Sequence, residues 1–264
     1  MQSRYLSSSD ICGKHALITG ASAGIGKACA FLLAERGVDL TLVARRAELL
    51  DQVRSEILAN HPEVQIACVS MDITDLKAVA ELPDIVPPVD ILINNAGLAL
   101  GVAKADNFTE LELSTMMQTN AIASMAMFRA FVPQMRLRDY GHVVTVGSVA
   151  AFECYEGGAL YNASKHAILA FMNAARMDLA DSRVKVSVVN PGIVDTDFWK
   201  VRFSGDEDKA KRALAGIEPL TPWDVADQVV WAVSRSHSCQ IAEIRSYCTH
   251  QAHAKYVIHR KCQD

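Results

Sequence analysis

Tyr161 and Lys165 stand four residues apart in Tyr161-Asn162-Ala163-Ser164-Lys165. On a helix that spacing puts both side chains on one side. A free tyrosine has a pKa of about 10 and is a poor base at neutral pH. A neighbouring ammonium would favour its phenolate, so the pair suits the transfer of a proton to or from an oxygen atom. Taken alone, such a pair is equally a piece of surface packing, and its meaning depends on what surrounds it.

The surroundings begin with Thr19-Gly20-Ala21-Ser22-Ala23-Gly24-Ile25-Gly26, which follows a short apolar run and opens a helical pattern. Gly20, Gly24 and Gly26 allow a tight turn and a close backbone approach. Ser22 and Ile25 stand where a helix start offers free N–H groups to a pyrophosphate. The strand–turn–helix context points to a dinucleotide. The next strand runs into Val43-Ala44-Arg45-Arg46. An NAD-preferring site places an acidic residue there, against the ribose 2′-hydroxyl. Two arginines suit a 2′-phosphate instead, so the expected cofactor is NADP(H). Asp72, at the next strand end, could accept from the adenine amino group. Asn94, Asn95 and Ala96 fall on the same sheet edge, with Asn95 open to a purely structural reading.

These motifs need elements to carry them. Val- and Ile-rich strands are expected at His15–Thr19, Asp39–Val43, Val64–Ser70, Val89–Ile93, His142–Val146 and Val184–Val189. Helices are expected at Ile25–Glu35, Ala47–Asn60, over most of Thr109–Val132, and at Ala159–Asp181 and Thr221–Ser234. Alternating strands and helices give an α/β fold, a doubly wound parallel sheet of Rossmann type with helices on both faces. Residues 13–264 read as one domain after a flexible extension over 1–12, and the irregular stretch 195–219 as a lid over the site.

Half of the 264 residues are hydrophobic, and the formal net charge is −4. That balance gives no reason to expect a nucleic-acid partner. No apolar run is long enough to span a membrane, and no signal peptide is evident. The seven scattered cysteines contain no Cys-x-x-Cys pair. They suit free thiols in the cytoplasm and no metal site, with His250 and His253 read as polar lining.

Together these motifs resemble the short-chain dehydrogenase/reductase family from about Lys14 to the C-terminus. The resemblance rests on T-G-A-S-A-G-I-G, N-N-A-G, a strand ending at Ser148, Y-N-A-S-K and N-P-G-I-V-D-T. It implies Ser148 as the hydroxyl on the substrate oxygen, Tyr161 and Lys165 as the proton-transfer pair, and Asn120 as holder of a water that links the lysine to solvent. It places Pro191, Gly192, Val194 and Thr196 at the nicotinamide end. It also implies a homotetramer with no catalytic metal.

Three further segments, Asn95–Gly101, Val201–Asp206 and Glu218–Pro222, resemble the NADP-dependent 3-hydroxy acid dehydrogenase branch, including serine dehydrogenases. Sulfoacetaldehyde reductases, which form isethionate, are close relatives. Residues 245–251 depart from that branch, which has apolar residues and a proline there. Arg202 could clamp a carboxylate or sulfonate or be a solvated loop charge. Tyr155 and Gln251 could add donors, and Gly157-Gly158 could leave room for substrate or form a turn. The expected reaction is hydride transfer between NADP(H) and a small anionic hydroxy acid or its carbonyl form. A neutral or lipid-like ketone fits less well, given Arg202 and few lid aromatics. A non-catalytic NADP-binding regulator would not need the Tyr161–Lys165 pair.

Overall fold

The computed structural model describes residues 11–258. Most of the expected N-terminal extension lies outside them, but Ile11 is packed into the core. Seven strands form one parallel sheet: β1 (His15–Thr19), β2 (Asp39–Ala44), β3 (Ile66–Ser70), β4 (Ile91–Asn94), β5 (Gly141–Val146), β6 (Val184–Pro191) and β7 (Glu243–Ser246). Their spatial order is β3-β2-β1-β4-β5-β6-β7, so the winding reverses between β1 and β4. A crevice opens at the carboxyl ends of strands at such a reversal.

Every residue of β1, β4 and β5 is buried, because a parallel sheet wound in both directions is covered on both faces. Successive side chains point to opposite sides. Ile18 joins a cluster with Leu33, Leu50 and Val229. Those residues come from α1 (Gly24–Ala34), α2 (Ala47–Leu58) and, nearer the C-terminus, Pro222–Val233. Its neighbour Leu17 joins Val79, Met127 and Ile168 on the other face. That face is covered by α3 (Leu76–Ile85), α4 (Glu110–Met117), α5 (Ala123–Leu137) and α6 (Ala159–Asp178). No described helix is long and apolar enough to cross a membrane.

The structure corrects several expected boundaries. Helix α3 is not among the expected elements. Asp75 caps its start through Lys77 N and Ala78 N, and Val79 and Leu82 are buried, which offsets the bond Pro83 cannot make. The helix expected to stop before Pro133 runs on to Leu137, held by buried Phe131, Val132 and Met135. It is interrupted by one wide turn, Gln118–Ile122, whose backbone closes from Ala123 N to Gln118 O. The stretch 195–219 is not irregular. It contains α7 (Phe198–Arg202) and α8 (Glu207–Leu214) before α9 (Pro222–Val233), which starts on a Thr221–Asp224 capping box. After β7, a hairpin of β8 (Gln251–His253) and β9 (Tyr256–Val257) completes the described chain.

Candidate active site

A cleft of about 950 Å³ follows the sheet reversal. The first strand is followed by Gly20 with φ +67°, a backbone state that glycine adopts without strain. Ala23, before α1, has no capping side chain, so the first-turn N–H groups remain available to an anion. Gly20, Ser22, Gly24 and Ile25 line the cleft there. Gly26 does not. A Cβ at Gly26 would lie 2.4 Å from Gly20 O and 2.5 Å from Asn95 Nδ2, so this glycine lets helix and strand pack rather than touching a ligand.

Arg45 and Arg46 are exposed and line the cleft at the end of β2. Arg46 Nη2 donates to Ser22 Oγ at 3.1 Å, which places its guanidinium over the glycine turn. Asp72 lines the cleft too, with Oδ1 accepting from Thr74 N and Oγ1. Those bonds, foremost the backbone one, and Arg45 nearby hold its carboxyl below the usual range. Asn94 departs from expectation: its buried side chain donates to Ser124 O and is absent from the cleft wall. Asn95 takes the structural reading, donating from Nδ2 to Thr19 O at 2.9 Å. Thr19, the first residue of the glycine motif, had no role assigned from sequence; it accepts from Asn95 N and Ala96 N through Oγ1 and so fixes this corner. An open helix start, a glycine floor and two arginines at the β2 end fit a dinucleotide with a 2′-phosphate.

Ser148, Tyr161 and Lys165 meet in the same cleft. Ser148 is held by Asn190, whose Oδ1 accepts from Ser148 N at 3.1 Å, and its own Oγ accepts from Ala150 N. Lys165 is buried and donates to Val146 O at 3.1 Å. Burial brings its pKa down to about 8. The phenol of Tyr161 is shifted upward, chiefly by burial and then by Tyr155, against smaller opposing effects from a hydrogen bond to Ser148 and from Arg202. Lys165 Nζ lies 5.8 Å from the Tyr161 ring centroid, and burial is the larger influence on the phenol. Tyr161 is therefore a neutral phenol here, with a proton to donate.

Asn120 sits in the wide turn, and both hydrogens of its side-chain amide are engaged. Oδ1 accepts from Leu98 N, while Nδ2 donates to Leu98 O and Ser164 Oγ. The wide turn interrupts the regular ladder of backbone bonds beside it. A Cβ on Gly97 would lie 3.2 Å from Asn120 Oδ1 and 3.4 Å from Lys165 Nζ, so this glycine keeps the two side chains in communication.

Pro191, Gly192, Val194 and Thr196 line the cleft as expected. Gln251 does not act as a free donor. Its Oε1 accepts from Ile193 N at 3.0 Å and its Nε2 donates to His253 O at 3.3 Å, so it braces the loop after β6. The space beside Gly158 is likewise taken: a Cβ there would lie 2.3 Å from Tyr155 Cε2.

Arg202 is buried at 4% exposure. Nη1 donates to Tyr155 Oη at 3.1 Å, and Nη2 reaches Gly157 O at 3.5 Å. Nε is buried without a partner. The guanidinium carbon lies 6.0 Å from the Tyr161 ring centroid. Arg202 and Tyr155 are not on the main cleft wall. Arg202 borders a cavity of about 10 Å³ that Tyr161 also lines. Glu112 lines this cavity, but its Oε2 is taken by Thr109. The cover over Tyr161 is more aromatic than expected, with Phe198 and Trp199 on the cleft wall and the Phe198 ring 5.6 Å from that of Tyr161.

A doubly wound sheet with a dinucleotide cleft and a Tyr–Lys pair beside it defines an α/β protein built for proton transfer next to a bound nucleotide. The chain belongs to the short chain dehydrogenase family, whose model matches residues 14–207. It is 38% identical over 254 residues to an NADP-dependent 3-hydroxy acid dehydrogenase of Schizosaccharomyces pombe, covering 94% of this chain and 98% of that one. It is 32% identical to a serine 3-dehydrogenase of Agrobacterium fabrum, covering 93% and 98%. Among solved structures it resembles the closed form of a serine dehydrogenase complexed with NADP+, with a TM-score of 0.87, 32% identity and coverage of 94% and 100%.

Proposed function

We infer that this chain is an NADP(H)-dependent oxidoreductase acting on a CH–OH group, and that its substrate is a small anionic hydroxy acid, of the serine or 3-hydroxypropionate type, or the corresponding carbonyl compound. The single observation behind the anionic substrate is Arg202: a buried guanidinium beside Tyr161, with Nε unpartnered and, among the described residues, no carboxylate in ion-pair range. A buried charge without a counter-charge is costly, and a substrate carboxylate or sulfonate would supply one bidentately.

NADP(H) supplies or takes the hydride when bound, and the first turn of α1, Arg45, Arg46 and the Pro191–Thr196 loop would hold it. In carbonyl reduction, Tyr161 gives its phenolic proton to the substrate oxygen while Ser148 hydrogen-bonds the same atom. Lys165, held at Val146 O, returns a proton toward Tyr161. In alcohol oxidation the same groups run in reverse. Phe198 and Trp199 exclude water from the reacting atoms.

The exposed Trp223 and Trp231 of α9, with Leu111 on α4 and Met177 on α6, support assembly into the homotetramer that the family resemblance implies. The free cysteines among the described residues support a reducing, cytoplasmic setting.

The test follows NADPH absorbance with short aldehydes bearing a carboxylate, a sulfonate or no charge. Turnover of the anionic members over size-matched neutral ones is expected. Preference for sulfonates would assign isethionate formation, and preference for bulky neutral ketones would overturn the reading.

A further inference from the structure

The segment after β7 is fastened to the loop between β5 and α6 by one carboxylate. Glu153, in the loop between β5 and α6, accepts through Oε1 from the Tyr247 hydroxyl at 2.6 Å and through Oε2 from Ala254 N at 2.6 Å. Both oxygens thus bind the segment after β7. Next to it, the Arg245 guanidinium lies 3.4 Å from the Phe152 ring centroid. Desolvation, followed by the bond to Glu153, pushes the Tyr247 hydroxyl up to about 12, so it remains a donor.

The same loop is fixed on two other sides. Asn162, beside Tyr161 on α6, donates to Ala150 O and to Glu153 O. Two residues beyond Glu153, Tyr155 accepts from Arg202. The tail in turn holds the other wall of the site, because Gln251 accepts from Ile193 N. One short segment therefore braces the loop that carries Tyr155 and the loop expected to meet the nicotinamide.

We propose that Glu153 is a positioning residue for substrate recognition: its bonds to Tyr247 and Ala254 fasten the C-terminal segment across the β5–α6 loop and so set Tyr155, and through it Arg202, at the height that receives the anion. Glu153 lies outside the cleft wall and acts through Tyr155. The proposal rests on the anionic reading of the site.

The test uses Glu153→Gln, which keeps the shape but leaves one acceptor oxygen, and Tyr247→Phe, which keeps the ring and removes the donor. For each, KM and kcat are measured with an anionic and a size-matched neutral substrate, and hydrogen exchange is followed over residues 247–257. Loss of one charge-assisted hydrogen bond corresponds to about tenfold in binding. Either variant should therefore raise KM for the anion by that order, leave kcat and the KM for NADPH nearly unchanged, and speed exchange in the tail. The double variant should be no worse than the more affected single one, because one contact is shared. Faster exchange with unchanged KM, equal loss on both substrates, or additive effects would overturn the proposal. Arg202→Ala is run in parallel. If it fails to separate the two substrates, the anionic reading falls, while unchanged tail exchange in Glu153→Gln would sink the brace by itself.

Discussion

Arg202 Nη1 donates to Tyr155 Oη at 3.1 Å, joining α7 to the loop before α6 directly beside the phenol of Tyr161. Two functions meet in this contact. It holds a cation in the interior without an acidic partner, and it brings the hydroxyl of Tyr155 close enough to oppose ionisation of Tyr161. Burial foremost, with Tyr155 adding, opposes that ionisation, and Arg202 acts weakly the other way.

Tyr161→Phe should keep the packing against Phe198 and lose the proton. Turnover is expected to fall by roughly 10²–10⁴, with NADPH affinity by fluorescence titration within about threefold of wild type. A variant that retained a substantial share of kcat would remove Tyr161 from the chemistry.

Cofactor preference should depend on the two arginines at the β2 end. Arg45→Ala and Arg46→Ala are each expected to raise KM for NADPH by about tenfold or more, the value of one charge-assisted bond, and to leave KM for NADH nearly unchanged. Arg46 carries an additional role through Ser22, so its effect on NADH should be the larger of the two. Equal losses on both cofactors would show that neither arginine reads the 2′-phosphate.

Acid should weaken the fold through His142. Burial foremost, with Lys185 adding, lowers its pKa to about 3. The folded state therefore keeps it neutral while the unfolded chain protonates it near 6.5. Stability from this group is complete above pH 6.5 and is lost as pH falls toward 3, by at most about 1.4 kcal/mol per pH unit. Denaturant unfolding between pH 7 and pH 5 checks this. His142→Gln should flatten the slope there, and an unchanged slope would place the acid sensitivity elsewhere.

The glycine turn and the Tyr161–Lys165 pair were legible in the sequence because each lies within one or two turns of chain, where spacing fixes geometry. Likewise the strands, whose apolar runs report burial on both faces. What escaped was set by distant contacts. Gln251 looks like a free polar side chain until Ile193 is folded against it, and Asn94 looks like a cleft residue until Ser124 claims its amide. Helix α3 escaped because its support, buried Val79 and Leu82, packs against α5 and the sheet, which lie far along the chain. The pairing of Glu153 with Tyr247 spans 94 residues and has no local signature.

Selection of a small anion by Arg202, as proposed, is tested most directly by kcat/KM of wild type and Arg202→Ala on an anionic aldehyde and a neutral one of equal size. The account predicts a fall of about ten- to a thousandfold on the anion and a change of less than about threefold on the neutral substrate. Equal falls on both would make Arg202 a residue that only structures the lid and would contradict the account.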